Sequence, residues 1–102
     1  MPGYWVARSK INNPENYSKY TTALAPIFEK WKAKVLSRGG EYKILEGPEY
    51  FERFVIIEFP SMEDAIACHD SPEYQAAAAH RKDGSGEVEL VILGATEGFG
   101  NN

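Results

Sequence analysis

Tyr4-Trp5-Val6-Ala7 opens the apolar pattern of the chain. It is an aromatic and β-branched run behind Pro2-Gly3, and it predicts a strand over residues 3–10. Asn13-Pro14-Glu15 then reads as a helix start: Asn13 accepts backbone N–H bonds as N-cap, Pro14 suits the first helical position, and Glu15 suits the positive end of the dipole. Tyr17, Tyr20, Leu24, Ile27, Phe28, Trp31 and Val35 follow at steps of three and four, one apolar stripe, while Lys19, Glu29, Lys30, Lys32 and Lys34 fall elsewhere. Pro26 lies inside this pattern and is expected to kink the helix, since it lacks a donor and crowds the carbonyl of Thr22. Two endings fit. The helix runs to Arg38 with Gly39-Gly40 as C-cap, or it stops near Lys32 and a strand begins near Lys34 with Gly39-Gly40 as a bulge.

Glu41 to Glu46 alternates in part and stops at the turn signal Gly47-Pro48. Phe51 to Phe59 is the clearest strand, and the near-continuous Phe54-Val55-Ile56-Ile57 implies burial on both faces. Ser61-Met62-Glu63-Asp64 is a capping-box-like helix start, and Ser71-Pro72-Glu73 restarts the helix, which continues through Lys82. The run Ala76 to Ala79 permits close helix packing. Asp83 to Gly86 reads as a loop, Glu87 to Leu93 as the last strand, and residues 96–102 as a flexible Gly-rich tail behind one domain spanning residues 1–95. With a strand beginning near Lys34 the order is β-α-β-β-α-β, the ferredoxin-like plan of a four-stranded antiparallel sheet with helices on one face. The two-sided apolar third strand then calls for a cover on the bare face. A second copy of the chain supplies one, and two sheets packed face to face make a dimeric α/β barrel.

Composition narrows the function classes. Lys plus Arg total 11 and Asp plus Glu total 15 in 102 residues, a net charge of −4. That balance argues against a nucleic-acid partner or an anionic membrane surface. Cys68 is the only cysteine, so no disulfide closes within the chain. No apolar run approaches the about 20 residues a bilayer requires. Met1-Pro2-Gly3-Tyr4 lacks the pattern of a secretory signal, and a cytoplasmic location is expected.

Several stretches occur in order: Gly3-Tyr4-Trp5-Val6-Ala7, Asn13-Pro14-Glu15, Arg38-Gly39-Gly40, Leu45-Glu46-Gly47, Val55 to Ser61, Ala65 to Cys68 and Ser71-Pro72-Glu73-Tyr74-Gln75. Together, over residues 3–93, they resemble the family called domain of unknown function thirteen-thirty. The resemblance favours the earlier helix end and a strand near Lys34. It implies a dimeric α/β barrel, related in fold to cofactor-free monooxygenases, muconolactone isomerases and dye-decolourising-peroxidase-like enzymes. It implies no reaction and no catalytic set.

Five residues carry candidate chemistry. Glu58 interrupts an apolar strand and shares a face with Phe54 and Ile56. As a buried carboxylate it is a general base or half of an ion pair, with Arg38 as one partner. Arg38, before Gly39-Gly40, presents a guanidinium to an anionic or enolate group, or is incidental to a bulge. His69 is a proton partner or a surface histidine; Trp5 and Tyr74 line a pocket wall or simply fill the core. His69 and His80 stand about 16 Å apart along a continuous helix, too far to share a metal. Cys68 reads as a small buried hydrophobe. Arg53 to Phe59 looks like the third-strand signature of an RNA-binding RRM, but Glu52 and Arg53 occupy the Gly and aromatic positions of that motif.

The expectation is therefore a homodimer that binds a small, partly aromatic and anionic metabolite between helices and sheet, without metal or cofactor. Its enzymatic form is a cofactor-independent isomerase or monooxygenase-like protein with Glu58, Arg38 and His69 in catalytic roles and Trp5 and Tyr74 in the pocket. Its alternative is a non-catalytic binding or assembly module, with an RRM-like role third.

Overall fold

The computed structural model describes residues 1–98 of the 102. Residues 99–102 of the expected tail lie outside the described residues. The chain forms β1 (Gly3–Ile11), α1 (Pro14–Lys30), β2 (Lys34–Arg38), β3 (Arg53–Phe59), α2 (Met62–Asp70), α3 (Pro72–Ala78) and β4 (Gly86–Gly94). The strands order β2-β3-β1-β4 with antiparallel neighbours, the ferredoxin-like plan. Within one chain the sheet stays open and does not close into a barrel.

The caps form where side-chain acceptors sit before apolar runs. Asn13 Oδ1 accepts from the amide of Asn16 at 3.1 Å. Ser61 Oγ accepts from the amide of Asp64 at 3.0 Å. Ser71 does double duty: its hydroxyl donates to the Cys68 carbonyl at 2.7 Å and accepts from the Tyr74 amide at 3.3 Å, so one residue ends α2 and starts α3. Helix α1 continues through Pro26, which is exposed. It ends where Lys32 takes a φ of 56° and turns the chain back into the sheet. Helix α3 stops at Ala78, short of the expected Lys82, where the amides of His80 and Arg81 bond the carbonyls three residues back, Ala77 and Ala78, and tighten the turn.

Every second strand residue faces the helices. Trp5, Ile57 and Phe59 meet Tyr17, Tyr20, Leu24, Ile27 and Phe28 of α1 and Ala65, Cys68, Tyr74 and Ala78 of α2 and α3 in one core. The alanines bring the helices close, as Ala77 and Ala78 are buried. Burial pushes the Cys68 thiol up to about 12, so it stays protonated and packs as a small apolar group.

Two expectations about the second strand are corrected. The bulge is not at Gly39-Gly40: the β2–β3 register slips between Val35 and Ser37, so Leu36 is the extra residue. Residues 41–46 do not continue the strand either. After Arg38 the chain leaves the sheet edge and folds over the face opposite the helices, where Tyr42 packs on Phe54 with ring centroids 4.8 Å apart. The partial alternation of this segment reflects contact with that face, not pairing. The loop rejoins the sheet where the Glu52 amide bonds the Ser9 carbonyl at 3.0 Å.

Candidate functional site

Between the helices and the sheet runs a narrow slot. Its empty space is about 480 Å³ counting the open mouth. Its floor is β1, β3 and β4, through residues such as Trp5, Ser9, Ile57 and Leu90; its roof is Tyr17, Tyr20, Leu24, Phe28 and Tyr74. Arg38 and Arg53 also line it. No Asp or Glu does, although the chain has more acids than bases.

The polar groups of the slot are connected in depth. The Tyr20 and Tyr74 hydroxyls lie 2.9 Å apart. Arg81, 7% exposed, donates through Nη2 to the Tyr74 hydroxyl at 3.1 Å and lies over the Tyr20 ring at 5.0 Å. Burial opposes the charge on Arg81, but the oxygens of Tyr74 and Tyr20 outweigh it and hold its pKa above the ordinary value. Burial, then the adjoining Tyr74, push the Tyr20 phenol well above its usual range, so Tyr20 keeps its proton. At the sheet, the Tyr17 hydroxyl donates to Ser9 Oγ at 3.2 Å.

The candidate residues do not all converge. Trp5 and Tyr74 stand together, ring centroids 5.0 Å apart, with the Trp5 indole N–H bonded to the Ala65 carbonyl at 2.9 Å. Arg38 reaches the slot from the sheet edge and donates to the Thr21 carbonyl at 3.1 Å. It does so because the extra residue Leu36 restores it to the helix face: Ser37 pairs with Ile56, and Arg38 pairs with Val55. His69 packs against the rings of Tyr74 and Trp5, at 5.3 and 6.3 Å, without lining the slot; its Nδ1 lies 3.1 Å from Asp70 Oδ1. Glu58 is apart from all of them. It alternates with Ile57 and Phe59, so it occupies the opposite sheet face, between Tyr4 and Lys34 in the ladder, and has no ion pair among the described residues. The sheet separates it from Arg38, so the pair expected between them is not formed. Its period-two relation to Phe54 and Ile56 holds; those residues line the outer face.

Tyr20 and Arg53 line the slot, and Arg81 stands behind it against Tyr74 and Tyr20; none of the three is a candidate on the sequence alone. Arg53 was within reach, since counting back by twos from the apolar Ile57 and Val55 places it on the same face. Arg81 gives no such signal, because it lies in an irregular turn after α3. Among the described residues no group of three His, Cys, Asp or Glu is placed to hold a metal ion, and no helix is long and apolar enough to cross a membrane.

The fold has solved relatives. A protein of unknown function from Rhodopseudomonas palustris is 22% identical, with a TM-score of 0.75 over 95% of this chain and 84% of that one. A dimeric ferredoxin-like protein of unknown function from Jannaschia is 11% identical, with a TM-score of 0.73 over 93% and 100%. SnoaB, a cofactor-independent oxygenase from Streptomyces nogalater, is 12% identical, with a TM-score of 0.63 over 95% of each chain. At these identities the likeness shows the fold alone. Among curated proteins none matches this sequence. The model of the family described as a domain of unknown function, DUF1330, matches residues 2–96, and the chain therefore belongs to that family.

Proposed function

We propose that this protein is a homodimer that binds a small organic molecule in the slot between helices and sheet. The observation that carries the reading is the composition of that slot. Aromatic walls, tyrosine hydroxyls and guanidinium groups converge there with no carboxylate to neutralise them. A protein–protein or nucleic-acid surface would need such groups outside, not under two helices.

A fragment screen followed by the Trp5 indole N–H resonance tests it. Ligands are expected to move Trp5 and the Ser9 and Tyr20 amides while leaving Val91, on the outer face, unmoved. Binding confined to the outer face, or no binding at all, would overturn the slot reading.

Catalysis is the second reading, and the Tyr20–Tyr74–Arg81 chain favours it. Hydroxyls held by a buried cation suit the oxygen of an enolate, the charge that isomerisation or cofactor-independent oxidation of a carbon acid would develop. In this reading Arg38 shares the anion and His69 assists Tyr74. Glu58 would enter only from the outer face of the sheet. SnoaB, described as a cofactor-independent oxygenase, shares this fold, which supports the reading by analogy.

The dimer rests on that outer face. Ile56 on β3 and Val91 and Leu93 on β4, the two strands flanking β1, are 39%, 55% and 47% exposed, an apolar patch wider than scattered surface residues explain. The overhanging loop adds Leu45, 80% exposed. Several solved relatives are described as dimeric. Ile56→Glu is therefore expected to convert dimer to monomer in sedimentation while leaving far-UV circular dichroism unchanged. A wild-type chain that sediments as a monomer at micromolar concentration would rule the dimer out.

A further inference from the structure

We infer that the ligand of the slot is a flat organic anion, a carboxylate or enolate on an aromatic or conjugated frame, and that Arg53 is the residue that holds its charge. The inference rests on the slot being the ligand site and names the ligand's class and the residue that selects it.

Arg53 Nε is enclosed and has no hydrogen-bond partner among the described residues. A guanidinium carries five N–H donors in a fixed fork, and an enclosed donor without an acceptor is costly. No salt bridge formed by Arg53 occurs among the described residues. Its surroundings hold it rather than neutralise it. The guanidinium carbon lies 5.7 Å from the Tyr17 ring centroid. On its other flank is Gly39, at a φ of +64°, where an added Cβ would come within 2.7 Å of Nη1. Gly39 thus leaves the space that the fork occupies. An orphaned fork aimed along a pocket wall without carboxylates is a seat for two oxygens of one anion.

A second guanidinium, behind Tyr20 and Tyr74, adds to the match. Arg81 is buried, meets only the Tyr74 hydroxyl and the Tyr20 ring, and leaves its own Nε without a partner. Two cations therefore bias the interior of an acidic chain towards negative charge, with Arg38 a third at the mouth. The lining sets the shape of the guest: aromatic side chains on both sides, Trp5 below and Tyr17, Tyr20, Phe28 and Tyr74 above, suit a flat, conjugated molecule.

Benzoate and its uncharged isostere benzamide test this, with the Trp5 indole N–H as reporter in the full chain. Benzoate is expected to shift that resonance saturably and to bind about tenfold or more tighter than benzamide, the ratio one charge-assisted hydrogen-bonded pair supplies. Arg53→Met should bring the two affinities together. Arg53→Lys keeps the charge but loses Nε, and should weaken benzoate several-fold while sparing benzamide, which keeps the test open if Arg53→Met fails to fold. Arg8→Gln, on the outer face, should change neither. Equal binding of benzoate and benzamide to the wild type would overturn the anion assignment and leave the slot as a binding site. A benzoate preference that survives both Arg53 substitutions would overturn the role of Arg53. If neither probe moves Trp5, the slot reading falls with the inference.

Discussion

Trp5→Ala is expected to remove about 3–5 kcal/mol of stability, a large share of what a domain of this size holds. Trp5 is 3% exposed at the middle of the sheet. Its ring meets Phe28, Phe59 and Tyr74 at centroid distances of 5.6, 5.0 and 5.0 Å, so its removal opens a cavity that three rigid rings cannot close. The Ala65 carbonyl, inside α2, also loses the indole N–H that reaches it across the core. Trp5→Phe separates the two effects: it retains most of the packing and should lose only the share of one buried hydrogen bond, about 1 kcal/mol. Urea unfolding of both variants reads the difference. A loss below about 1 kcal/mol for Trp5→Ala would mean that the helix layer collapses onto the sheet and that the core is less rigid than its ring geometry implies.

Gly3→Ala should be nearly as severe for the opposite reason. A Cβ at Gly3 would lie 2.5 Å from Met62 Cα, 2.6 Å from the Met62 amide nitrogen and 2.8 Å from the Ser61 carbonyl carbon. All three are backbone atoms, so no rotamer change relieves the overlap. The first turn of α2 must move as a whole, and the Ser61 cap fixes its start. Overpacking of this kind costs about 1–3 kcal/mol, here at the upper end, which corresponds to a fall of roughly 10–20 °C in Tm. Gly40→Ala is the comparison, since nothing lies within 4 Å of its added Cβ. Similar melting temperatures for the two variants would show that α2 is free to slide on the sheet.

Most of the framework was readable in the residues because it is local. The Asn13, Ser61 and Ser71 caps, the stripe from Tyr17 to Phe28 and the apolar run of β3 each carry their own signal, and each forms as read. The segment after Arg38 was not readable. Tyr42 and Ile44 alternate whether they pair in a strand or press onto a face from outside, and only the rest of the fold decides between these. Glu58 shows the same limit at the site. Period two tells which residues share a face, yet a strand with both faces apolar does not say which face the helices cover. The buried Arg81 escaped notice for a related reason. Its seat is made by Tyr20 and Tyr74, 61 and seven positions earlier in the chain, and no neighbouring residue hints at it.

The extra residue at Leu36 has an evolutionary consequence. Strand β2 is an edge strand whose residues are all exposed, so a change of register there disturbs little of the core. Because side chains alternate, pairing Leu36 regularly with Ile56 would exchange the partner of Val55: Ser37 would face the slot and Arg38, opposite Phe54, would face outward. Relatives that keep the length of this strand but lose its bulge would then carry one guanidinium fewer inside and one more outside, with an otherwise unchanged sheet. Divergence in what such proteins bind can therefore proceed by a change of register at the rim, without any substitution among the residues that line the interior.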